Sequence, residues 1–337
     1  MKTKKIRLSI LEHALVRPGI TDGEAVMETI AIAKLADRLG YTRFWVSEHH
    51  NTDSFVSSTP EVLIAHLAGE TTNMRIGAGG VMLPNYSALK VAENFRMLEV
   101  LFPGRIDLGI GRASGTDQKT AQALNPHGKR TDEEFAEQLK DLVGYLHDTA
   151  GDQTDTEKVY ATPRIDTHPP LWLLSTGGES ALAAARMGTG LSFSYFMNPV
   201  SGLPGVQAYR ENFRPSAEVP EPKLILGVVI FCSEDRDLLM RTQATVDRTF
   251  LELTRTGKNT SFSYDELKDL SYTAEEQEII ASHRPRTLSG TPDEIEQKLD
   301  QLINEYQPDE LMISTFAEGF EERIKSFELL ADMYLKS

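Results

Sequence analysis

Short apolar runs alternate along the chain with stretches whose apolar positions recur at helical spacing. The runs predict strands at Ile6–Leu11, Arg43–Ser47, Arg75–Val81, Ile106–Ile110, Leu171–Leu174, near Leu191–Phe193, at Leu224–Phe231 and at Glu310–Ser314. Between them, Val26, Ile30, Ala33 and Ala36 form one stripe, with Thr21 and Glu24 as a capping box ahead of it and Gly40 at the far end. Val91, Phe95, Leu98 and Phe102 form a second stripe. Phe135, Leu139, Leu142 and Leu146 form a third, opened by Thr131 and Glu134. Thr291-Pro-Asp-Glu294 marks another start, followed by Ile295, Leu299 and Leu302, and a last helix is expected over about Phe320–Leu335.

Eight strands alternating with helices predict an α/β protein with a parallel sheet, and eight strands close a (β/α)8 barrel of the TIM type. An open doubly wound sheet is the competing architecture. One segment breaks the rhythm. Residues from about Lys258 to Ser289 are polar and weak in strand signal, so they read as an insertion between strands seven and eight, near the barrel mouth. The expected organisation is one barrel domain over 1–337 with that insertion.

Composition narrows the function. The chain has 337 residues, 40% of them hydrophobic, and a net charge of −15, which speaks against nucleic-acid and anionic-membrane surfaces. An anionic ligand then needs a local cation. The single cysteine, Cys232, permits neither an internal disulfide nor a Cys-based metal site. Neither a signal peptide nor a run approaching the ~18 apolar residues of a spanning helix is present, so a cytoplasmic protein is expected. H-E-x-x-H, G-x-S-x-G, P-loop and C-x-x-C patterns are missing, and no metal-ligating set is expected.

In a parallel barrel the site lies where the strands end. Glu48-His49-His50 ends strand two. A histidine there suits proton transfer, a metal site, or a hydrogen-bonded rim position. Adjacent residues of extended chain point apart, which disfavours His49 and His50 on one ion. Gly77-Ala78-Gly79-Gly80 ends strand three and reads as close approach of a flat ligand, an unusual peptide geometry, or small-residue packing inside the barrel. Gly109-Ile-Gly111-Arg112-Ala-Ser114-Gly115 ends strand four. It departs from the dinucleotide fingerprint at Ser114 and reads better as a turn presenting Arg112 to an anion. Ser175-Thr176-Gly177-Gly178-Glu179-Ser180 ends strand five ahead of a helix expected at Ala181–Met187. Its amides and hydroxyls suit an anion, or Ser180 simply caps that helix. With Arg112 one strand away, the two turns make a candidate phosphate clamp.

Three segments in order, Arg43-Phe-Trp-Val-Ser-Glu-His-His50, Arg75-Ile-Gly-Ala-Gly-Gly-Val-Met-Leu-Pro84 and Gly104-Arg-Ile-Asp-Leu-Gly-Ile-Gly-Arg112, resemble bacterial luciferase-like flavin-dependent monooxygenases. Gly290-Thr-Pro-Asp-Glu-Ile and Glu310-Leu-Met-Ile resemble that family's last βα unit. The resemblance implies a (β/α)8 barrel, usually a homodimer. Such a protein takes reduced FMN from a separate flavin reductase, activates O2 at the flavin and oxidises a small organic substrate. It implies His49 as catalytic residue, a non-proline cis peptide at Gly79-Gly80 under the flavin beside Ala78, Arg112 at the flavin phosphate, and phosphate contacts from the loop Ser175, Thr176, Gly177, Gly178 and Ser180. The luciferase proper differs at Gly111, at Gly79-Gly80 and at Gly177, so light emission is not implied. Some relatives use the deazaflavin F420, so an F420- or flavin-dependent dehydrogenase is the alternative, and a flavin-binding protein without turnover is a third reading.

Overall fold

The computed structural model describes residues 6–128, 131–149 and 159–336. Its strands are β1 (Arg7–Glu12), β2 (Arg43–Val46), β3 (Arg75–Met82), β4 (Ile106–Gly111), β5 (Leu171–Ser175), β6 (Gly190–Ser194), β7 (Leu224–Cys232), β8 (Thr287–Gly290) and β9 (Glu310–Ser314). All pairings between these strands are parallel. Strands β1 to β7 pair in sequence except that β9 stands between β1 and β7, and the β6–β7 pairing completes an eight-stranded closed barrel. The expected closed barrel is therefore the observed fold. Each expected strand lies within a residue or two of its predicted place, and the eighth predicted strand is β9.

The ninth strand, β8, was not expected, and β7 accounts for it. That strand runs for nine residues, and its register with β6 ends at Gly227 opposite Ser194. Beyond it that edge of β7 would leave unpaired backbone groups, and Thr287–Gly290 pairs there with Val229–Cys232, across β7 from β9. The segment read as an insertion thus ends in a strand. The rest of it carries two short helices, Tyr264–Leu267 and Ala274–His283, each opened by a reciprocal Ser or Thr to Glu cap. It reaches the loops at the strand ends: Ser261 Oγ donates to the Val16 carbonyl, Ser54 Oγ donates to the Asn259 carbonyl, and the Tyr264 amide donates to Glu318.

Alternation along the strands builds two cores. Leu8, Ile10, Phe44, Val46, Ile76, Leu108, Leu311 and Ile313 face outward into the helix layer. Leu11, Trp45, Trp172, Ile225 and Met312 fill the inside. Two tryptophans in one barrel need space, and glycines provide it. A Cβ on Gly79 would meet Trp45 Cε3 at 2.9 Å and Leu11 Cδ1 at 2.8 Å, and one on Gly80 would meet the Gly109 carbonyl oxygen at 2.6 Å. Loss of Trp45, fully buried, would cost about 3–5 kcal/mol.

At the end where the strands begin, Arg43 pairs with Asp107 at 2.7 Å and Glu310 at 2.6 Å, and Arg75 pairs with the other Asp107 oxygen at 2.7 Å. The Trp45 indole donates to Asp107, and Ser9 Oγ donates to Glu310. Both carboxylates are fully buried. This network closes the barrel floor.

Candidate functional site at the carboxyl ends of the strands

The opposite end is built differently. Glu48 follows β2 and is fully buried. One of its oxygens accepts from the Met82 amide at 2.9 Å. The other accepts from Tyr86 Oη at 2.9 Å and lies 2.9 Å from His50 Nε2. These contacts span β2, the end of β3 and the turn after it, so Glu48 is a bracket that fixes the backbone around its neighbours. Burial and the Glu48 carboxylate raise the Tyr86 phenol well above its ordinary value.

That bracket sends His50 one way and His49 the other. His49, half-buried, packs against Phe55 with ring centroids 5.0 Å apart and faces His13 at 5.9 Å. Burial holds its pKa below the ordinary histidine value, and the Gly115 carbonyl, accepting from the ring, and Glu48 oppose that shift. A neutral imidazole carries one donor and one acceptor nitrogen.

His13 was not singled out from sequence. It follows β1 as His49 follows β2, and the same rule of looking just past each strand would have found it. Its Nδ1 lies 2.9 Å from Ser47 Oγ and its Nε2 3.2 Å from Ser314 Oγ. Ser314 Oγ donates its own proton to the Leu11 carbonyl, so it accepts from His13 Nε2–H, and Nδ1 accepts from Ser47. Burial, then His49 and Arg323, push the His13 pKa down to about 3. His13 is a neutral ring with both nitrogens occupied, stacked on Phe316 at 5.3 Å and tilted on Phe55 at 5.2 Å. It forms one wall beside His49.

The peptide Gly79-Gly80 is cis. The pairing of β3 with β4 shifts register between Ala78 and Val81 across it. Of the readings for this run, interior packing accounts for the missing side chains of Gly79 and Gly80. Ala78 turns its methyl into the outer core, so only its backbone is available to a ligand.

Arg112 follows β4. Its side chain is 48% exposed and donates at 2.6 Å to Asp132, which is itself exposed at the start of the helix Asp132–Leu146. The helix after β5 begins earlier than expected, at Gly178, with Gly177 at the N-cap. Ser180 therefore sits in the first turn and not at the cap. The sequence pattern misplaced this start because apolar periodicity begins only at Ala181, whereas backbone amides need no side chain to enter a helix. Ser175 Oγ donates to the Gly177 carbonyl at 2.6 Å and accepts from its amide, and Thr176 is exposed, its carbonyl accepting from Asn198. No side chain caps the helix, and a Cβ on Gly177 or Gly178 would meet nothing within 4 Å. The helix dipole favours an anion at this first turn, where the Gly205 backbone lies beside the Gly178 amide. The turns carrying Arg112 and Gly177 follow neighbouring strands, as a phosphate clamp requires.

Comparison with known proteins agrees with this layout. The family model described as luciferase-like monooxygenase matches residues 6–306. The uncharacterized protein YwcH of Bacillus subtilis strain 168 is 41% identical over 98% of this chain and 99% of its own length. The N-acetyl-S-alkylcysteine monooxygenase of the same organism is 32% identical over 98% of each. Among solved structures, apo-MsnO8 superposes with TM-score 0.88 at 34% identity, covering 99% of this chain and 98% of that one. Two more distant structures share the fold alone. The oxygenating constituent of 3,6-diketocamphane monooxygenase from Pseudomonas putida, in complex with FMN, has TM-score 0.73 at 16% identity, over 98% and 97% of the two chains. An F420-dependent secondary alcohol dehydrogenase has TM-score 0.70 at 13%, over 98% and 99%. With the closed parallel barrel and a family match over most of the chain in agreement, this protein belongs to the luciferase-like monooxygenase family.

Proposed function

We propose that the chain is a flavin-dependent monooxygenase that receives reduced FMN from a separate flavin reductase and uses O2 to oxidise a small organic substrate. The observation that carries this reading is the pairing of a proton-accepting histidine, His49, with an aromatic chamber of His13, Phe55 and Phe316 at the strand ends. Reduced FMN, when bound, supplies the activation of O2. The chain's own residues bind and orient. The first-turn amides of the helix Gly178–Met187, with Arg112, hold the phosphate. Leu11 and Trp45 back the Gly79-Gly80 segment, which offers bare backbone to the flavin ring. His49 takes or returns a proton, and the aromatic walls limit water.

F420 carries a phosphate too, so the clamp alone does not choose between cofactors. Identity of 32% to a monooxygenase supports oxygenation as the reaction, and FMN is the cofactor of this reading. Anaerobic titration of the protein with reduced FMN and with F420, followed by admission of air in the presence of candidate substrates, tests the proposal. Binding of reduced FMN with substrate-dependent O2 uptake is expected. Binding of F420 and not of reduced FMN would overturn it.

The same reading includes a cytoplasmic homodimer. No described helix is long and apolar enough to cross a membrane. Met27, Val62, Met97, Val100 and Leu101 are exposed on the three consecutive helices Asp22–Leu39, Pro60–Glu70 and Ala88–Leu101. Neighbouring helices of the same barrel do not cover them. Light scattering is expected to give twice the chain mass, and a value near 37.5 kDa would remove the dimer.

A further inference from the structure

At the floor end of the barrel, three side chains from separate segments converge. His147 follows the helix Asp132–Leu146, His168 lies in the loop leading to β5, and Glu218 lies in the loop leading to β7. A single carboxylate oxygen, Glu218 Oε1, stands 3.0 Å from His168 Nε2 and 3.5 Å from His147 Nε2. The two imidazoles lie 4.1 Å apart at 53°, and one donor atom from each of the three residues falls within 4.8 Å of the others. Ligands bound at about 2.0–2.1 Å around a tetrahedral ion are roughly 3.3 Å from one another. The two histidine–glutamate separations bracket that value.

We propose that His147, His168 and Glu218 form a site for a divalent transition ion, with Zn(II) the fitting example and water in the fourth position. Two imidazoles and one carboxylate suit zinc and its neighbours and do not suit Mg²⁺ or Ca²⁺, which take oxygen ligands. The three segments are pinned independently of any ion. Buried Arg96 donates to the Tyr145 and Leu146 carbonyls just before His147, and to the Ala161 carbonyl at the start of the loop that carries His168. The Leu108 amide, donating to Pro170, anchors the other side of His168. Ser216 ties the Glu218 turn by donating to the Gly188 carbonyl and accepting from the Val219 amide. A scaffold this well held loses little entropy when the ion binds. The Arg96 charge, which faces His147, is offset by Asp148 at 2.9 Å, and the chain's net charge of −15 favours a cation. The positions 147, 168 and 218 have no metal-motif spacing, so the sequence predicted no metal here. The site sits opposite the mouth and joins three loops, so its ion is a structural clasp.

The test uses the untagged full chain and zinc chloride alone. Equilibrium dialysis with metal analysis is expected to give one saturable Zn(II) per chain, and thermal unfolding is expected to shift upward with zinc and return with chelator. His168→Ala and Glu218→Gln should each weaken binding by at least about tenfold and abolish the shift, while His49→Ala leaves both intact. If the alanine variant does not fold, His168→Gln takes its place with the same expectation. No saturable uptake up to about 100 µM zinc would overturn the site. So would uptake that survives in both ligand variants.

Discussion

The two ends of this barrel handle charge in opposite ways. At the floor, Arg43, Asp107 and Glu310 are buried together and Arg75 reaches Asp107 from a partly exposed position, and each finds a partner within 2.7 Å. At the mouth, burial lowers the pKa of His13 and of His49, and both rings pack against Phe55. A closed ionic plug locks register and has nothing to give to a ligand. A neutral histidine can exchange a proton. The same fold, with strands running one way, offers both ends, and burial together with pairing decides which becomes a site.

Breaking the floor should have the largest effect. Asp107→Ala leaves Arg43 and Arg75 short of a shared partner and the Trp45 indole without its acceptor. We expect a loss of about 3–5 kcal/mol in denaturant unfolding. A change below about 1 kcal/mol would show that water screens the plug.

At the mouth, His49→Ala should lower turnover by about 10²–10⁴ while the affinity for reduced FMN holds. The matching change at His13 should differ, because its nitrogens are already occupied. Equal losses of turnover and flavin affinity in His49→Ala would place His49 in the binding surface instead.

Titration sharpens the contrast. The His13 pKa is about 3 in the folded chain against 6.5 for the free side chain, so the unfolded chain binds a proton that the folded chain refuses. The stability held above the free value of 6.5 is therefore lost as pH falls toward 3, by at most about 1.4 kcal/mol per pH unit for this residue. The lowered His49 adds in the same direction. His13→Gln should flatten the slope of unfolding free energy between those limits. An unchanged slope would mean that His13 is protonated in the fold.

The smallest effect concerns the proposed phosphate clamp. Because Arg112 is half exposed and already paired, its loss should cost about 1.5–3 kcal/mol of FMN affinity, less than a buried pair would. Asp132→Asn removes the competitor and should strengthen binding by up to about 1 kcal/mol. Fluorescence titration of the two variants reads both. No change in either would exclude Arg112 from the site.

Periodicity determined the eight alternating strands and helices, and closure into a barrel over an open sheet came from the family resemblance and the strand pairing. The eight closing strands, the helix starts at Thr21 and Thr291, and the strand-end positions of His49, Gly79-Gly80, Arg112 and Ser175–Ser180 all follow from local pattern, because alternation and capping are properties of neighbouring residues. What lies across the barrel could not be read in this way. The pairing of β8 with the overhang of β7 depends on strand lengths measured against each other. The tautomer of His13 depends on serines 34 and 301 positions away. The glycines of β3 answer to tryptophan packing as well as to any ligand. His147, His168 and Glu218 meet only because three loops end on the same floor. Such features are set by distances between residues far apart in the chain, and closure of the barrel fixes those distances.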